Sequence, residues 1–249
     1  MDALLEATAR AEATHCWFRG FRWFVSPLLA RAAVGRQGLR LLDCGCGTGN
    51  NLSLLAPYGT AVGFDLNAVG LRVGRRAGRR RLARASVDAV PYPDQCFDVV
   101  TSFDVLYALP DPVERAAVRE MYRVLVPGGR LVVNVAAMAS LRGAHSVLSH
   151  EVRRYSRADL IARLEDAGFV VEWSSYTNAV LYPPMALGRA LQRWRGLADD
   201  AANTDDIRVP PAPVNALLSA LLWLEAIWLR CGGRSPMGSS LLCLARKPA

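Results

Sequence analysis

The chain has 249 residues and a hydrophobic fraction of 52%, so it fits one large domain with a full hydrophobic core. It contains no internal repeat and no low-complexity segment, which excludes a repeat architecture. The net charge of +8 comes almost wholly from arginine, because Lys247 is the single lysine. Such one-sided usage is typical of coding bias, so the charge is not taken as an indication of phosphate binding.

Six cysteines are scattered without the spacing of a disulfide framework, which predicts a reducing, cytoplasmic compartment. The first residues, MDALLEATARAEATHCW, carry acids and lack the apolar core of a signal peptide. The most apolar run, 217–229, contains Glu225 and is shorter than the roughly 18 residues of a membrane span. No transmembrane helix is therefore predicted.

Residues 1–34 predict an N-terminal helix, polar first and then aromatic, in which Pro27 marks a break or a new first turn. Beyond it, short apolar or β-branched runs predict seven strands, at 39–43, 60–65, 80–86, 96–103, 130–137, 169–176 and 239–247. Helical patterns separate the strands, at 50–56, from 67 onward, at 111–125 and from 157 to 168. Asp111 and Ser156 are the expected N-caps of the last two, and Pro-Gly-Gly at 127–129 predicts a turn.

Strands that alternate with helices predict an α/β fold: a Rossmann-like, seven-stranded, mostly parallel sheet with helices on both faces. Residues 177–238 are too long for a simple connection between the last two strands, so they predict an inserted helical cap. The expected organisation is a single domain, 1–249. Its core is 38–176 plus 239–247, and the N-terminal helix closes over that core.

The stretch DCGCGTG, residues 43–49, follows the first strand at the edge where ligands bind in such sheets. Its glycines, Gly45, Gly47 and Gly49, let the backbone approach a ligand, and the next helix presents unpaired N–H groups. Alone, the turn is a weak signal, because a tight strand-to-helix connection uses the same residues. The two cysteines within it, Cys44 and Cys46, make a poor zinc site without a second ligand pair nearby.

Asp65 closes the second strand 22 residues after Asp43, where an acid accepts hydrogen bonds from ribose hydroxyls. A dinucleotide site would have the spacing Gly-x-Gly-x-x-Gly and a pyrophosphate, which Asp43 would repel. Asp43 suits an ammonium group instead. An adenosine ligand with a cationic amino-acid tail is S-adenosylmethionine, and the two acids together predict it.

The chain resembles the class I S-adenosylmethionine-dependent methyltransferases, of the bacterial small-molecule type, in five stretches in the family's order. They are LLDCGCGTGNN, VGFDLN, VPYPDQCFDVVTSFDVLYAL, REMYRVLVPGGRLVVNV and RRYSRADLIARLEDAGF. The resemblance implies that the methionine part lies at Asp43 and the glycines, the ribose at Asp65, the adenine against Leu66 and the methyl near Phe103. The implied cofactor-binding residues are Asp43, Gly45, Gly47, Gly49, Asn50, Asp65, Leu66, Ser86, Val87, Phe103 and Arg19.

Two positions depart from the family. Its usual Gly-Asp, where the Asp binds the adenine amino group, reads Ala85-Ser86 here, so Ser86 is the first candidate for that contact and Asp88 the second. A pair that often reads Glu-His is Tyr107-Ala108. No base can be carried over at that second position.

Residues for the acceptor side are less specific. His150, in a loop after the fifth strand, is the first candidate for a general base, with a structural histidine as the alternative. The tyrosines that could shape the acceptor pocket, or merely pack, are Tyr107, Tyr155 and Tyr176. In the helix at 15–24, Arg19 could meet the methionine carboxylate. Alternatively the helix merely caps the sheet with its aromatic residues, which are Trp17, Phe18, Phe21 and Phe24.

The run at 71–85 holds seven arginines, which predict a solvated helix face, and without interleaved aromatics they do not favour nucleic acid. The apolar stretch 214–233 predicts a lid or an interfacial helix that reaches a lipid-linked acceptor, and its thin polar face favours the lid. The predicted function is methyl transfer from S-adenosylmethionine to a small-molecule acceptor, apolar or lipid-linked. Alternatives are a non-catalytic S-adenosylmethionine-binding or membrane-associated module, and a nucleotide-dependent oxidoreductase. Acceptor identity and oligomeric state stay open.

Overall fold

One seven-stranded sheet organises the molecule. The computed structural model describes residues 11–142 apart from residue 13, 151–194 and 209–249. The strands are β1 Leu39–Cys44, β2 Gly59–Asp65, β3 Leu82–Arg84, β4 Phe97–Phe103, β5 Leu125–Ala136, β6 Val170–Thr177 and β7 Ser240–Arg246. Their order is β3-β2-β1-β4-β5-β7-β6, and β7 runs antiparallel to both neighbours while the other pairs are parallel. The predicted mostly parallel, Rossmann-like sheet is confirmed.

Helices cover both faces of this sheet, as predicted. They are α1 Cys16–Ala33, α2 Leu52–Leu55, α3 Ala68–Arg76, α4 Asp111–Val124, α5 Arg157–Glu165, α6 Tyr182–Trp194 and α7 Ala212–Arg230. Alternate strand residues enter two apolar layers: Val133 faces α4 and α5, and Val132 faces α1 and α7. Each large side chain buried in these layers contributes about 1.5–3 kcal/mol.

Two predicted interruptions are wrong. Pro27 lies inside α1 and does not end it, because Phe24 and Leu28 on either side are buried in one apolar layer. That burial outweighs the cost of about 3 kcal/mol for an interior proline. Residues 127–129 are part of β5 and form no separate turn; Gly128 has a φ of +74° beside a register shift against β4. The sheet accommodates these residues as an irregularity within the strand.

Local signals at helix starts were mostly informative. Ser156 caps α5 in a reciprocal capping box with Asp159, as predicted. Asp111 is the first residue of α4, with Pro110 at the N-cap, so that assignment was one residue late. The Asp111 carboxylate accepts from the guanidinium of Arg115 instead.

The inserted segment places α7 beside α1. Asn215 of α7 accepts the backbone N–H of Cys16 at 2.8 Å, which ties the start of α1 to α7. A Cβ at Gly20 would lie 2.9 Å from Cδ1 of Leu222, so the two helices pack closely there. The buried carboxylate of Glu225 accepts backbone N–H groups of the turn after β6. Helix α7 is therefore part of the layer that covers the sheet.

Candidate active site

The buried carboxylate of Asp43 lies at the end of β1, in the middle of the sheet. Its side chain is 1% exposed, and Thr101 of β4 donates its hydroxyl to Oδ1 at 2.7 Å. Oδ2 is buried and accepts no hydrogen bond from the part of the chain that the structure describes. Burial raises the pKa of Asp43 to about 7; the Thr101 hydrogen bond opposes this rise and the charge of Asp65 adds to it. A buried acceptor without a donor is costly, so this oxygen is suited to a ligand that donates.

Asp65 lies at the end of β2, and both of its carboxylate oxygens accept backbone N–H groups. Gly47 donates to Oδ2 and Asn67 to Oδ1, each at 2.7 Å. Because each oxygen can accept more than one hydrogen bond, these contacts fix the carboxylate without exhausting it. The next residue, Leu66, exposes 62% of its surface, so an open apolar side chain stands beside a fixed acceptor.

The glycine loop between these two acids depends on glycine for conformation and for packing. Gly45, Gly47 and Gly49 have φ values of +76°, +55° and +74°. A Cβ at Gly45 would lie 2.3 Å from Cγ2 of Val105, and one at Gly49 would lie 2.6 Å from Cδ2 of Leu82. The alternating glycines therefore bring the backbone close to β3 and to the segment after β4.

We expect Gly45→Ala to destabilise the protein by about 1–3 kcal/mol, because a left-handed backbone and a contact with Val105 both oppose a side chain. Gly38→Ala is the matched control, since Gly38 has a φ of +61° but no atom within 4 Å of an added Cβ. Urea unfolding of both variants measures the difference. Equal losses would contradict the close contact at Gly45.

Arginine side chains support the glycine loop from outside. Arg79 donates to the Thr48 carbonyl and to Oδ1 of Asn50, both at 2.9 Å. Arg75 and Arg84 also donate to backbone carbonyls. The predicted solvated arginine run is therefore partly structural. Sequence reasoning missed this role, because a charge run does not indicate which members bond to the backbone.

The residues after β3 keep both candidates for the adenine contact together. The Ser86 hydroxyl donates to the Asp88 carboxylate. Val87 between them is buried, whereas Asp88 is exposed. Asp88 therefore supplies a carboxylate two residues after the position at which the family motif has one.

Helix α1 reaches the end of β4. The Phe103 ring is buried and packs edge-to-face on Phe21, with ring centroids 5.1 Å apart. Phe24 is buried in the layer between α1 and the sheet. Arg19 is exposed, and its guanidinium lies over the Trp23 ring, 5.5 Å from the centroid. The aromatic residues thus cap the sheet, while Arg19 stays on the outer side of the helix.

Comparison with known proteins finds methyltransferases that are similar to the part of the chain that forms this site. A family model described as a methyltransferase domain matches residues 42–133, which contain the glycine loop and both acids. The ubiquinone/menaquinone biosynthesis C-methyltransferase UbiE of Stutzerimonas stutzeri (strain A1501) is 38% identical over 110 residues, or 39% of this chain and 42% of that protein. UbiE of Yersinia enterocolitica is 36% identical, over 39% of this chain and 43% of that protein. Over this part of its length, the chain is therefore similar to methyltransferases. It spans less than half the length of these relatives.

Solved structures share the methyltransferase fold. The methyltransferase in complex with the Haloferax volcanii Trm112 activator has a TM-score of 0.63 and 20% identity, covering 100% of this chain and 96% of its own. Haemonchus contortus phosphoethanolamine N-methyltransferase 2, solved with S-adenosyl-L-methionine, has a TM-score of 0.63 and 16% identity, covering 100% of this chain and 58% of its own. The [4+2]-cyclase SpnF has a TM-score of 0.57 and 23% identity, covering 90% of this chain and 80% of its own. At these identities the likeness shows the fold alone. The predicted cofactor, S-adenosylmethionine, is the ligand with which the Haemonchus contortus enzyme was solved.

The structure describes some of the predicted acceptor-side residues and not others. His150 lies outside the described residues and stays a prediction. The Tyr155 hydroxyl donates to buried Glu114 at 2.6 Å, and burial raises the pKa of this tyrosine. The Tyr176 hydroxyl accepts the backbone N–H of Arg157 at 2.9 Å. Both tyrosines are buried in the layer under α4 and α5, which favours packing. Tyr107 is half-buried, and its role in the pocket also stays a prediction.

Three residues that sequence reasoning missed lie at the same edge of the sheet. Asp104, Met138 and Asn178 follow the ends of β4, β5 and β6, and each has a φ of +60°. Left-handed backbone at residues other than glycine is uncommon and concentrates at functional sites. Only the tolerance of Asp and Asn for this conformation could have indicated two of them from the sequence.

Proposed function

We propose that this protein transfers the methyl group of S-adenosylmethionine to a small apolar acceptor. The observation that carries the proposal is the pair of carboxylates at neighbouring strand ends, Asp43 with a buried oxygen that lacks a donor and Asp65 fixed by the glycine loop. A ligand with an ammonium group and a ribose supplies donors to both. The residues present therefore fit S-adenosylmethionine.

The proposed binding mode follows the sheet edge from β1 to β3. Asp43 accepts the ammonium group of the methionine part, and the glycine loop lies along that part. Asp65 accepts the ribose hydroxyls. Leu66, which is exposed, covers one adenine face. The Ser86–Asp88 pair accepts the adenine amino group.

When bound, the cofactor supplies a methyl group that is already activated on a positively charged sulfur. The chain then has to align an acceptor with that methyl and exclude water. Phe103 and Phe21 provide a buried aromatic wall at the end of β4 that serves both purposes. His150 remains a proposed base for an acceptor that is protonated at working pH.

Binding measurements separate this function from its alternatives. Calorimetry should show binding of S-adenosylmethionine and of its demethylated product, S-adenosylhomocysteine, but not of NAD. Binding of NAD alone would indicate an oxidoreductase, which Asp43 disfavours because its carboxylate would face a pyrophosphate. Binding without any methyl transfer would favour the non-catalytic alternative. The neighbour named as a cyclase is one case in which this fold carries a name other than methyltransferase.

The relatives named for ubiquinone and menaquinone biosynthesis suggest the class of acceptor. We infer an aromatic hydroquinone ring with an apolar tail as the acceptor, methylated at carbon. Naphthohydroquinone with tritiated S-adenosylmethionine is the direct assay. Labelled methylnaphthohydroquinone is the expected product, and label on no ring product would contradict this acceptor class.

An apolar acceptor of this kind resides in a membrane, and α7 offers a matching surface. The inner side of α7 packs on α1, but its outer side is open and is apolar from Val214 to Trp228. The exposed large side chains are Val214, Leu217, Trp223, Leu224, Ile227 and Trp228. Helix α7 has 19 residues, and among the described helices it alone has the length and hydropathy of a membrane span. Of its most apolar 18 residues, 22% are buried. The apolar run 217–229, from which no transmembrane helix was predicted, is only part of this helix.

We infer that this outer face lies on an anionic bilayer that holds the acceptor. Tryptophan is favoured at the boundary between headgroups and acyl chains. Arg230 and Arg234, at the carboxyl end of α7, are exposed and suit anionic headgroups. Glu225, the acid within α7, is buried on the inner side and does not oppose that contact.

We expect Trp223→Ser combined with Trp228→Ser to reduce binding to phosphatidylglycerol vesicles by about tenfold or more, because two large apolar side chains leave the interface. Trp194→Ser is the control, since Trp194 is an exposed tryptophan on α6. Vesicle flotation measures the effect. A wild-type chain that binds no vesicles, or that forms a dimer which the double variant abolishes, would show that a second copy and not a membrane covers this face.

A further inference from the structure

Asp104 occupies the point where the glycine loop, β4 and α1 meet. It follows Phe103, whose ring packs on Phe21 of α1. It precedes Val105, whose side chain packs against the backbone of Gly45. Asp104 is therefore bracketed by the aromatic wall on one side and by the glycine loop on the other.

The backbone and the carboxylate of Asp104 are both held by Asn134 of β5. The Asp104 N–H donates to the Asn134 carbonyl at 2.9 Å, and Asn134 Nδ2 donates to Oδ1 of Asp104 at 2.9 Å. Asn134 is buried, so this partner is rigid. Asp104 itself has a φ of +60°, a backbone conformation that residues other than glycine rarely adopt. A strained residue that is fixed through two hydrogen bonds has its carboxylate aimed in one direction.

Asp104 is an exposed residue, although nearby protein desolvates its carboxylate. The residue is exposed by surface area, and no described residue donates to Oδ2. Yet desolvation by nearby protein raises the pKa of Asp104 to about 7, against the Asn134 hydrogen bond and the charge of Arg154. Asp104 is therefore an exposed carboxylate in partly desolvated surroundings.

The charged group that acts on Asp104 is Arg154, which is itself held by an ion pair. Arg154 donates to Glu151 at 2.8 Å and to the Ala137 carbonyl at 3.0 Å. Both side chains of this ion pair are almost fully buried. Asp104 is thus a carboxylate at this edge with an oxygen that an incoming molecule can reach.

We propose that Asp104 receives the proton that the acceptor loses during methyl transfer. This inference rests on the proposed function and adds a catalytic residue to it. The acceptor's X–H proton passes to Oδ2 of Asp104, and the electron pair left on the acceptor forms the new bond to the methyl carbon. The electrons of the broken carbon–sulfur bond remain on sulfur as a neutral thioether. The proton on Asp104 then passes to solvent, to which this residue is exposed.

The first test needs no acceptor. Asp104→Asn keeps the shape, tolerates left-handed backbone and leaves an oxygen to accept from Asn134. If Asp104 lies beside the sulfonium, losing its charge should weaken S-adenosylmethionine binding on the order of tenfold, while the neutral thioether of S-adenosylhomocysteine binds unchanged. Calorimetry of both ligands measures that ratio. Asp88→Asn, at the other end of the same edge, is the control that should leave the ratio unchanged.

The second test measures turnover with naphthohydroquinone. Asp104→Asn should lower kcat by roughly 10²–10⁴-fold with little change in S-adenosylhomocysteine affinity. Equal weakening of both nucleosides would show a structural role and overturn the proposal. An unchanged ratio with full turnover would also overturn it. If only His150→Asn lost turnover, the proton would go to His150. A wild-type protein that binds neither nucleoside would instead sink the proposed function itself.

Discussion

Replacing Asp65 with alanine should weaken binding of S-adenosylhomocysteine and S-adenosylmethionine by about 10²–10³-fold. A carboxylate that accepts two ribose hydroxyls contributes roughly 3–4 kcal/mol, because hydrogen bonds to charged groups are worth about 1.5–3 kcal/mol each. The glycine loop adds to the loss, since the N–H groups of Gly47 and Asn67 lose their acceptor. Isothermal titration calorimetry measures the affinity directly.

The matched control for this change is Asp98→Ala. Asp98 also fixes a strand through its carboxylate, since it accepts the backbone N–H of Arg40 at 2.9 Å. It lies at the start of β4, at the opposite edge of the sheet from Asp65. Asp98→Ala should lower stability without changing cofactor affinity. Undiminished affinity in Asp65→Ala would refute the ribose assignment.

The second large effect concerns Asp43 and pH. Burial raises the pKa of Asp43 to about 7 in the unliganded protein, and an ammonium group pairs only with the ionised carboxylate. Cofactor affinity should therefore fall about tenfold for each pH unit below 7. Asp43→Asn should remove this dependence and bind about 100-fold more weakly near pH 7.5. Calorimetry of both proteins between about pH 5 and pH 7.5 measures the two slopes. A wild-type slope equal to that of the variant would contradict the ammonium contact.

Stability without ligand should change with pH in the opposite direction. In the unfolded chain Asp43 ionises near 3.8, the ordinary pKa of an aspartate, whereas in the folded chain its pKa is about 7. The stability that this group contributes is present below the unfolded value and is lost as pH rises through the folded one. The loss amounts to at most about 4 kcal/mol for a shift of roughly three units. Urea unfolding should show wild type losing stability toward pH 8 relative to Asp43→Asn.

The sheet and the glycine loop were predictable because their signals are local. Apolar runs, alternating glycines and an acid at each strand end lie within short stretches, and chain order then implies parallel pairing. The interruption predicted at Pro27 was wrong because the helix there is stabilised by burial of Phe24 and Leu28 against the sheet. That burial depends on residues distant in the chain. The same holds for the Pro-Gly-Gly segment, in which Gly128 donates its N–H to the Lys247 carbonyl and the Gly129 carbonyl accepts the N–H of Lys247.

Site residues were predictable from the sequence where a single strand determines their position. They were not predictable where a contact between two elements determines it. Asp43 and Asp65 each follow their own strand, so their positions could be inferred. The contact of Asp104 with Asn134 depends on the register between β4 and β5, which no local pattern encodes. The bonds from Arg79 to the glycine loop and the open outer face of α7 also depend on tertiary packing. Interactions of this kind require the structure.

The central claim is that the carboxyl ends of β1 and β2 hold the nucleoside. A crystal structure of the protein with S-adenosylhomocysteine tests it most directly. The account predicts the ribose hydroxyls within hydrogen-bond distance of Asp65 and the ammonium group against Oδ2 of Asp43. A nucleoside bound elsewhere, or an ammonium group that leaves Oδ2 of Asp43 without a donor, would contradict it.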